Sequence, residues 1–304
     1  MKKALGIAAI FLLLLAGTVF VFRQTLALRA ARAALVKALP DYRVTLDGAK
    51  LNLNSLELQN LRVKNQTIDG HFGRIRFYVT PRSLMKKRWA RMTLENAVID
   101  LPQELKISDI SLQAENTSQT GTFSAGKINL KKINITGMQG KFRWTPDQLN
   151  AESFSAALLG GSVSGNFSLT LDAAKKYECY LEFKNLQLPV LITAMKWAEK
   201  ISLTGKLGGQ MKFTGDVSGL KNVDGAFSGA AGGGDLTILD RAFMENIAAR
   251  AKQPVELVEA SLKEYHYDEG VVSLQKKGHD LNLELAVRGP KGRRHLNTVF
   301  HDAV

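Results

Sequence analysis

The sequence predicts a mainly β protein, in which an N-terminal transmembrane helix precedes a long antiparallel β-meander with a few short amphipathic helices. Three observations lead to this prediction. Residues 4–22 form an apolar run without a charged side chain. From Tyr42 onward, apolar and polar residues alternate with a period of two, as in strands with one buried face. Turn residues, many of them glycines, separate these short runs, which favours hairpin connections.

The composition is that of a folded chain with few groups for site chemistry. Of 304 residues, 45% are hydrophobic and 23% are charged, and 41 Lys+Arg against 28 Asp+Glu give a net charge of +13. The single cysteine, Cys179, excludes internal disulfides and multi-cysteine metal sites. We expect it to lie on an apolar face as a small hydrophobic residue. So basic a chain favours an anionic partner such as nucleic acid, a membrane surface or an acidic polymer.

No motif in the chain indicates enzymatic chemistry. The histidines lack metal-ligand spacing, and no nucleophile elbow or phosphate-binding loop is present. Asp268 and Glu269 are close enough to pair with His266, but acid–base groups on one turn are commonly solvated. We therefore expect no catalytic residues, no metal and no cofactor.

Residues 1–23 are the predicted membrane anchor. At about 1.5 Å per residue, a helix over the apolar run is about as long as a bilayer core is thick. The segment stays apolar where a signal peptidase would cut, so we expect an uncleaved anchor. A secretion signal cleaved within residues 16–31 is the alternative. The lysines before the run favour a cytoplasmic N-terminus and an external body, although the positive-inside count favours a cytoplasmic body because of Arg23, Arg29, Arg32 and Lys37.

Residues 24–40 predict a second helix, rich in alanine and leucine, that ends at Pro40. Its amphipathicity is weak, with one stripe through Leu26 and Ala30 and another through Arg29. Two interpretations remain. The segment is either a juxtamembrane helix whose arginines contact lipid phosphates or a spacer helix that caps the first strands.

Residues 41–304 predict one elongated β domain. The alternating phase slips from Leu53 to Leu56 and slips again at Leu61. Helical periodicity interrupts the strands three times, and residues 229–234 predict a flexible loop. The three predicted helices run over residues 188–197, from Asp240 to Ala251, and from Pro254 to about residue 263.

The apolar stripes of these strands suit two different architectures. In a sandwich or barrel they bury one another, whereas in an open trough they line a groove that fits an acyl chain. Periodicity alone does not separate the two. Our candidates for the lining of such a groove are Val163, Phe167, Leu169, Leu171, Leu181, Phe183, Leu283, Leu285 and Val287.

Two basic clusters are candidates for contact with anionic groups. The first surrounds a tryptophan, and we expect it to bind headgroups at the membrane surface unless it is only a solvated strand end. It consists of Arg82, Lys86, Lys87, Arg88, Trp89 and Arg91. The second, Arg288, Lys291, Arg293 and Arg294, suits an acidic partner. Nucleic acid would fit the charge, but the anchor and the apolar meander argue against it.

Several segments resemble the AsmA-like superfamily. Residues 51–101, which begin LNLNSLELQNLRVKNQ, are similar to its opening strands and its unit of strand, small helix, basic residues and strand. LNAESFSAALLGGSVSGNFSLTL at 149–171 resembles its segment with a doubled glycine between strands. Residues 201–239 are similar to its glycine-containing C-terminal strands. Residues 265–301, from YHYDEGVVSLQ onward, resemble the tail of the YdbH branch.

This resemblance implies an inner-membrane anchor, an elongated periplasmic β-groove and a role in moving phospholipids between the inner and outer membranes. Members proposed as bridges are generally much longer than this chain. About 15 strands at about 4.8 Å spacing span on the order of 70 Å, so we expect either a partner envelope protein that extends the groove or a short member that acts near the inner membrane.

Three hypotheses follow. The first is a lipid-handling protein whose groove solvates acyl chains. The second is a non-enzymatic structural or assembly factor of the envelope with a dry β core. The third is an anchored protein whose body faces the cytoplasm, as the charge count suggests.

Overall fold

A computed structural model describes residues 24–85, 88–102, 104–262, 264–277 and 279–301. The chain divides into two compact units, residues 1–126 and 127–304. Among the described residues, no helix has both the length and the apolar character needed to cross a bilayer. The predicted anchor, residues 1–23, lies outside the described residues.

The described residues form five helices and eighteen strands, so the prediction of a mainly β fold with few short helices is confirmed. The helices are α1 (24–38), α2 (Pro81–Met85), α3 (Leu188–Ala194), α4 (Arg241–Ala251) and α5 (Val255–Leu262). The strands up to residue 158 are β1 (Arg43–Leu51), β2 (Ser55–Lys64), β3 (Asp69–Tyr78), β4 (Arg91–Leu101), β5 (Leu105–Glu115), β6 (Thr120–Leu130), β7 (Ile133–Trp144) and β8 (Gln148–Leu158). The later strands are β9 (Gly161–Thr170), β10 (Tyr177–Gln187), β11 (Ile201–Leu203), β12 (Lys206–Asp216), β13 (Gly219–Gly229), β14 (Gly234–Ile238), β15 (Tyr265–Tyr267), β16 (Glu269–Lys277), β17 (Asp280–Gly289) and β18 (Gly292–Phe300).

The first unit is a meander in which strands adjacent in sequence are adjacent in the sheet, from β1 to β6. The pairs from β1–β2 to β4–β5 are antiparallel. Four of the five connections have three or four residues, and so short a loop can only return the chain alongside the strand it has just left. The connection from β3 to β4 is longer and contains α2.

Left-handed residues inside the strands of the first unit explain the slipped apolar phase. Asn60, Asn96 and Asp109 have φ values of 51°, 56° and 55°. Such a residue shifts the alternation by one position, so that apolar side chains on both sides of it reach the same face. The strands slip together: Gly73 faces Asn96, whose oxygen would lie 3.0 Å from an added Cβ. The unit therefore keeps one apolar face despite the irregular sequence pattern.

Helix α1 packs on the first strands. Ala27, Leu28, Ala31 and Leu35 contact the buried cluster of Leu46, Ala49, Leu58 and Leu61. The Arg32 Nε donates to the carbonyl oxygen of Leu46 over 2.9 Å. Leu26, on the other stripe of this weakly amphipathic helix, is 55% exposed. The helix caps the first strands, as the spacer interpretation expects, and its place beside a membrane stays a prediction.

The opposite face of the first unit carries a buried carboxylate. Glu57 is only 6% exposed. Its Oε2 accepts a hydrogen bond from Arg76 Nε over 3.0 Å, and its Oε1 lies 3.7 Å from Arg74 Nε. The hydrogen bond from Arg76 is the largest cause that lowers the pKa of Glu57. The two arginines thus offset the cost of removing this charge from water.

The second unit contains a longer meander and a separate small layer. The main sheet has the order β7-β8-β9-β10-β12-β13-β16-β17-β18, and β11, β14 and β15 form a three-stranded antiparallel sheet. We call this small sheet, with α3, α4 and α5, the cap layer. Residues 236–238 and 265–267, which the alternation placed in the long meander, therefore belong to the cap layer. Period two identifies a strand but does not specify its partner.

The helices of the cap layer begin where the sequence predicts. Pro189 occupies the first turn of α3, and the Asp240 carboxylate accepts a hydrogen bond from the amide of Ala242 over 2.9 Å at the start of α4. Helix α3 ends at Ala194, three residues before the predicted end. The buried residues Ile238, Met244, Ala248 and Val258 join α4, α5 and β14.

Candidate functional site: the apolar face of the second unit

One side of the main sheet in the second unit is apolar across seven strands, from β8 to β17. Directly opposed residues of antiparallel strands point to the same side, so the strand register defines this face. One row across it runs through Val163, Phe183, Gly209, Phe227, Val272 and Leu285. The next row runs through Phe154, Gly165, Leu181, Met211, Gly225, Leu274 and Leu283. We call this side the apolar face.

The middle of the apolar face is closed by its own side chains. Val163 and Phe183 are 4% and 8% exposed. The rings of Phe183 and Phe227 lie 5.5 Å apart although β12 separates their strands. This contact is possible because Gly209 stands between them, and a Cβ there would lie 2.6 Å from the Phe227 Cα. This part of the face is a packed core.

The cap layer covers one end of the apolar face. Leu188, Tyr265 and Tyr267 form a buried cluster against Leu207 of β12 and Val287 of β17. The Tyr267 hydroxyl donates to the Thr204 carbonyl over 2.6 Å, and the Tyr265 hydroxyl donates to the Gly292 carbonyl over 2.6 Å. The second bond ties the cap layer to the β17–β18 turn.

The rest of the apolar face is uncovered by these layers. Phe167, Leu169, Leu283 and Leu285 are partly buried, and none of them joins a buried cluster within the described part of the chain. Side chains in the dry core of a sandwich would be fully buried. The apolar face therefore has a packed middle and a capped end, and it leaves these leucines and this phenylalanine in contact with solvent.

The structure brings together eight of the nine predicted lining residues. The exception is Leu171, which lies beyond the end of β9 and is 49% exposed. Val163 and Phe183 belong to the packed core, Leu181 packs against it, and Val287 lies under the cap layer. Their role in lipid binding stays a prediction.

A comparison with known protein families matches residues 88–291 to the YdbH-like family, described as "Intermembrane phospholipid transport protein YdbH". The match spans about two thirds of the 304 residues. The chain belongs to the YdbH-like family. No protein with a curated description and no solved structure matches the chain. The predicted AsmA-like relationship and its YdbH branch are thus confirmed, and the description of the family names intermembrane transport of phospholipid.

The YdbH-like chain holds its cysteine where we expected it. Cys179 is buried on the apolar face, opposite Phe167 on one side and Phe213 on the other. Burial raises the pKa of its thiol to about 11. Cys179 acts as a small apolar residue, because a thiol with this pKa is protonated at neutral pH.

The predicted headgroup cluster is only partly gathered by the fold. Lys86 and Lys87 lie outside the described residues. Arg82 on α2 and Arg88 after it are exposed. The guanidinium of Arg91 instead lies 4.4 Å from the centre of the Tyr78 ring, and its Nε lies 3.9 Å from Glu115 Oε1. Contact between this cluster and lipid headgroups stays a prediction.

His266 of the YdbH-like chain lies in the cap layer between two carboxylates. Its Nδ1 is 2.9 Å from Asp235 Oδ1, and its Nε2 is 3.5 Å from Asp268 Oδ1. The hydrogen bond to Asp235 is the largest cause that raises the pKa of His266. Glu269, the other partner considered from the sequence, makes no ion pair with it. Across the residues that the structure describes, no group of three or more His, Cys, Asp or Glu side chains is placed to hold a metal ion.

Several residues of the apolar face were not predicted from the sequence. Met211, Phe213 and Leu274 share the face with the predicted lining, and their strands were recognised from period two. The room that Gly209 and Gly225 leave for neighbouring side chains could not be predicted, since a glycine in a strand indicates a bulge or a close approach without saying which.

Proposed function

We propose that this protein is an inner-membrane-anchored periplasmic lipid carrier that binds phospholipid acyl chains on the apolar face and takes part in their transport between the inner and outer membranes. The observation that supports it most is the set of partly buried apolar side chains, Phe167, Leu169, Leu283 and Leu285, in a member of a phospholipid transport family. Their role is solvation, with no bond made or broken.

The cap layer limits where such a chain would lie. An acyl chain on this face would run beside Leu283 and Leu285 and would stop at Val287, which packs against Tyr265 and Tyr267. The packed contact of Phe183 with Phe227 would bar the middle of the face. We therefore assign the acyl chain to the uncovered parts of the face alone.

The proposed anchor is residues 1–23, followed by a juxtamembrane helix over 24–40. The lysines before the apolar run and the family description support a body in the periplasm. We also propose that a partner envelope protein extends the lipid path.

Site-specific photo-crosslinking tests the proposal in cells. Leu283→p-benzoylphenylalanine places a photoreactive group on the apolar face, and Glu284→p-benzoylphenylalanine places it on the opposite side of β17. After irradiation of cells that make the full chain, we expect a phospholipid adduct, detected by mass spectrometry, at position 283 alone. Equal adducts at both positions, or none at position 283 in a folded protein, would favour the dry-core assembly factor instead.

A charge on the apolar face provides a second test. Leu169→Lys buries an ammonium group beside the acyl chain, which costs several kcal/mol, whereas Ser168→Lys puts the same group on the polar side of β9. We expect Leu169→Lys to lower the amount of co-purifying phospholipid at least severalfold and Ser168→Lys to leave it unchanged. Unchanged lipid in a folded Leu169→Lys variant would rule out the proposed path.

A further inference from the structure

A cavity lies on the polar side of the main sheet, behind the apolar face. It has a volume of about 570 Å³ and lies next to the turn between β17 and β18. Its walls include Glu269 and Val271 of β16, Arg288 of β17 and Arg293 of β18. Pro290, in the turn between β17 and β18, also lines it. The volume is within the roughly 300–1,000 Å³ of typical ligand pockets. Since Val287 and Val272 point to the apolar face, their neighbours Arg288 and Val271 point away from it.

Three charged side chains cross the cavity in one row. In the strand register, Glu269 lies opposite Arg288, and Arg288 lies opposite Arg293. Adjacent strands lie about 4.8 Å apart. Arg288 and Arg293 are therefore direct cross-strand neighbours, and Glu269 lies on the other side of Arg288. Like charges in this arrangement disfavour the folded state unless an anion lies between them.

The neighbouring basic groups already have structural partners. Arg294 packs its guanidinium 5.4 Å from the centre of the Tyr265 ring and donates to the Lys291 carbonyl, while Lys291 donates to the Glu264 carbonyl over 3.1 Å. Arg288 and Arg293 differ from them. Within the part of the chain that the structure describes, neither of their side chains makes a hydrogen bond or an ion pair.

The floor of the cavity is apolar. Val271 is 53% exposed, and Ala286 lies beside it in the next cross-strand row. Pro290 closes the side toward the turn. A ligand that fits this surface needs an anionic group over the arginines and a short apolar part over the valine.

We propose that this cavity binds the headgroup of a zwitterionic phosphodiester, with the phosphate between Arg288 and Arg293 and an ammonium group beside Glu269. Two guanidinium groups suit phosphate oxygens, and the carboxylate one strand away matches an ammonium group a few ångströms from the phosphorus. This inference extends the proposed function, since a phospholipid is the ligand that carries such a headgroup. The site is on the other side of the sheet from the acyl-chain path, so the headgroup that it binds belongs to a different lipid molecule from the one on the apolar face.

Binding of an acyl-free headgroup tests the site separately from the apolar face. The probes are glycerophosphoethanolamine, glycerophosphoglycerol and inorganic phosphate, titrated into the full chain in a phosphate-free sugar detergent and followed by NMR or calorimetry. We expect glycerophosphoethanolamine to bind at least about tenfold more tightly than glycerophosphoglycerol. Because no probe has an acyl chain, a lack of binding in this titration would not contradict the acyl-chain proposal. The crosslinking experiment above tests that proposal separately.

Three variants assign the roles within the row. The double variant Arg288→Gln, Arg293→Gln should bind glycerophosphoethanolamine about tenfold or more weakly, because it lacks the charge-assisted hydrogen bonds to the phosphate. Glu269→Gln should abolish the preference over glycerophosphoglycerol and keep binding of phosphate esters. Arg143→Gln, which removes an exposed arginine of β7 that pairs with Glu152 of β8, should change neither affinity. Equal affinity of the wild type and the double variant, or no preference for the ammonium-bearing probe, would overturn the proposal.

Discussion

At the residue scale, single positions decide which way the strands face. Asn60, Asn96 and Asp109 adopt the left-handed conformation, which most L-residues avoid and which asparagine, aspartate and glycine tolerate. Each sits where the apolar alternation shifts by one position. Without these residues, half of each strand would turn its apolar side chains to the polar side of the sheet.

Substitution of Asn96 tests this role. Asn96 is exposed, so Asn96→Ala loses little packing, but it places a Cβ-bearing residue without a polar side chain at φ 56°. We expect a loss of about 1 kcal/mol in the free energy of unfolding, measured by urea denaturation of the full chain. Asn96→Gly serves as the control, since glycine accepts this conformation freely and should match the wild type within about 0.5 kcal/mol.

A second residue-scale prediction concerns the packed core. Gly209→Ala would put a Cβ against the Ala226 carbonyl oxygen and 2.6 Å from the Phe227 Cα, which are backbone atoms that cannot move aside. We expect a destabilisation of about 2 kcal/mol or more, measured as the shift in the unfolding midpoint. Gly208→Ala, whose added Cβ meets only the Phe183 carbonyl oxygen at 3.2 Å, should cost clearly less. Equal losses for the two variants would contradict the packing described for Phe183 and Phe227.

At the element scale, the helices and the small sheet determine which parts of the sheets are covered. Helix α1 covers the apolar side of β1 to β3 through Leu28, Ala31 and Leu35. The cap layer covers the Val287 end of the apolar face. Each element buries only part of a sheet, and this partial cover leaves apolar side chains available to a ligand.

The pH dependence of the cap layer follows from His266. Its pKa is raised by Asp235, so the protonated imidazole is favoured in the folded state. This stabilisation is complete below the unfolded pKa of about 6.5 and is lost as the pH rises through the folded value. We therefore expect amides of β14 and β15 to exchange hydrogen faster as the pH rises above 6.5, after correction for intrinsic rates.

The matched variant is His266→Gln, which keeps a polar side chain but does not titrate. Its exchange in β14 and β15 should have no pH-dependent step in this range. The same step in the variant and the wild type would assign the effect to another group.

At the scale of the whole molecule, the net charge agrees with the proposed location beside a membrane. The net charge of +13 suits a body that works beside anionic membrane surfaces. The proposed anchor would hold it there. The two proposed ligand regions lie on opposite sides of one sheet in the second unit, the apolar face for acyl chains and the Arg288–Arg293 cavity for a headgroup.

A reporter fused after Val304 tests the proposed orientation. We expect alkaline phosphatase, which is active only after export, to be active in this fusion, and green fluorescent protein exported by the same route to stay dark. The positive charges after residue 22 favour the reverse orientation. A fluorescent fusion with inactive phosphatase would establish the cytoplasmic hypothesis and remove the periplasmic part of the proposed function.

The sequence by itself determined the mainly β class, most of the strands, the helix starts and the family. These features depend on neighbours in the chain: period two marks a strand with one buried face, and Asp240 caps the helix that follows it. Within each of β9, β10 and β17 it also placed the predicted lining residues on one side, because side-chain direction in a strand alternates from residue to residue. The strand register of the structure joins these sides into one face.

Only the tertiary structure decided what covers that face. Val163 and Phe183 are core residues and Leu283 and Leu285 are partly open, although all four have the same local pattern. The difference comes from residues distant in the chain: Phe227 reaches across Gly209, and Tyr265 and Tyr267 pack over Val287. The Arg288–Arg293 pair likewise depends on cross-strand register. Burial and cross-strand charge depend on non-local contacts, which local periodicity does not specify.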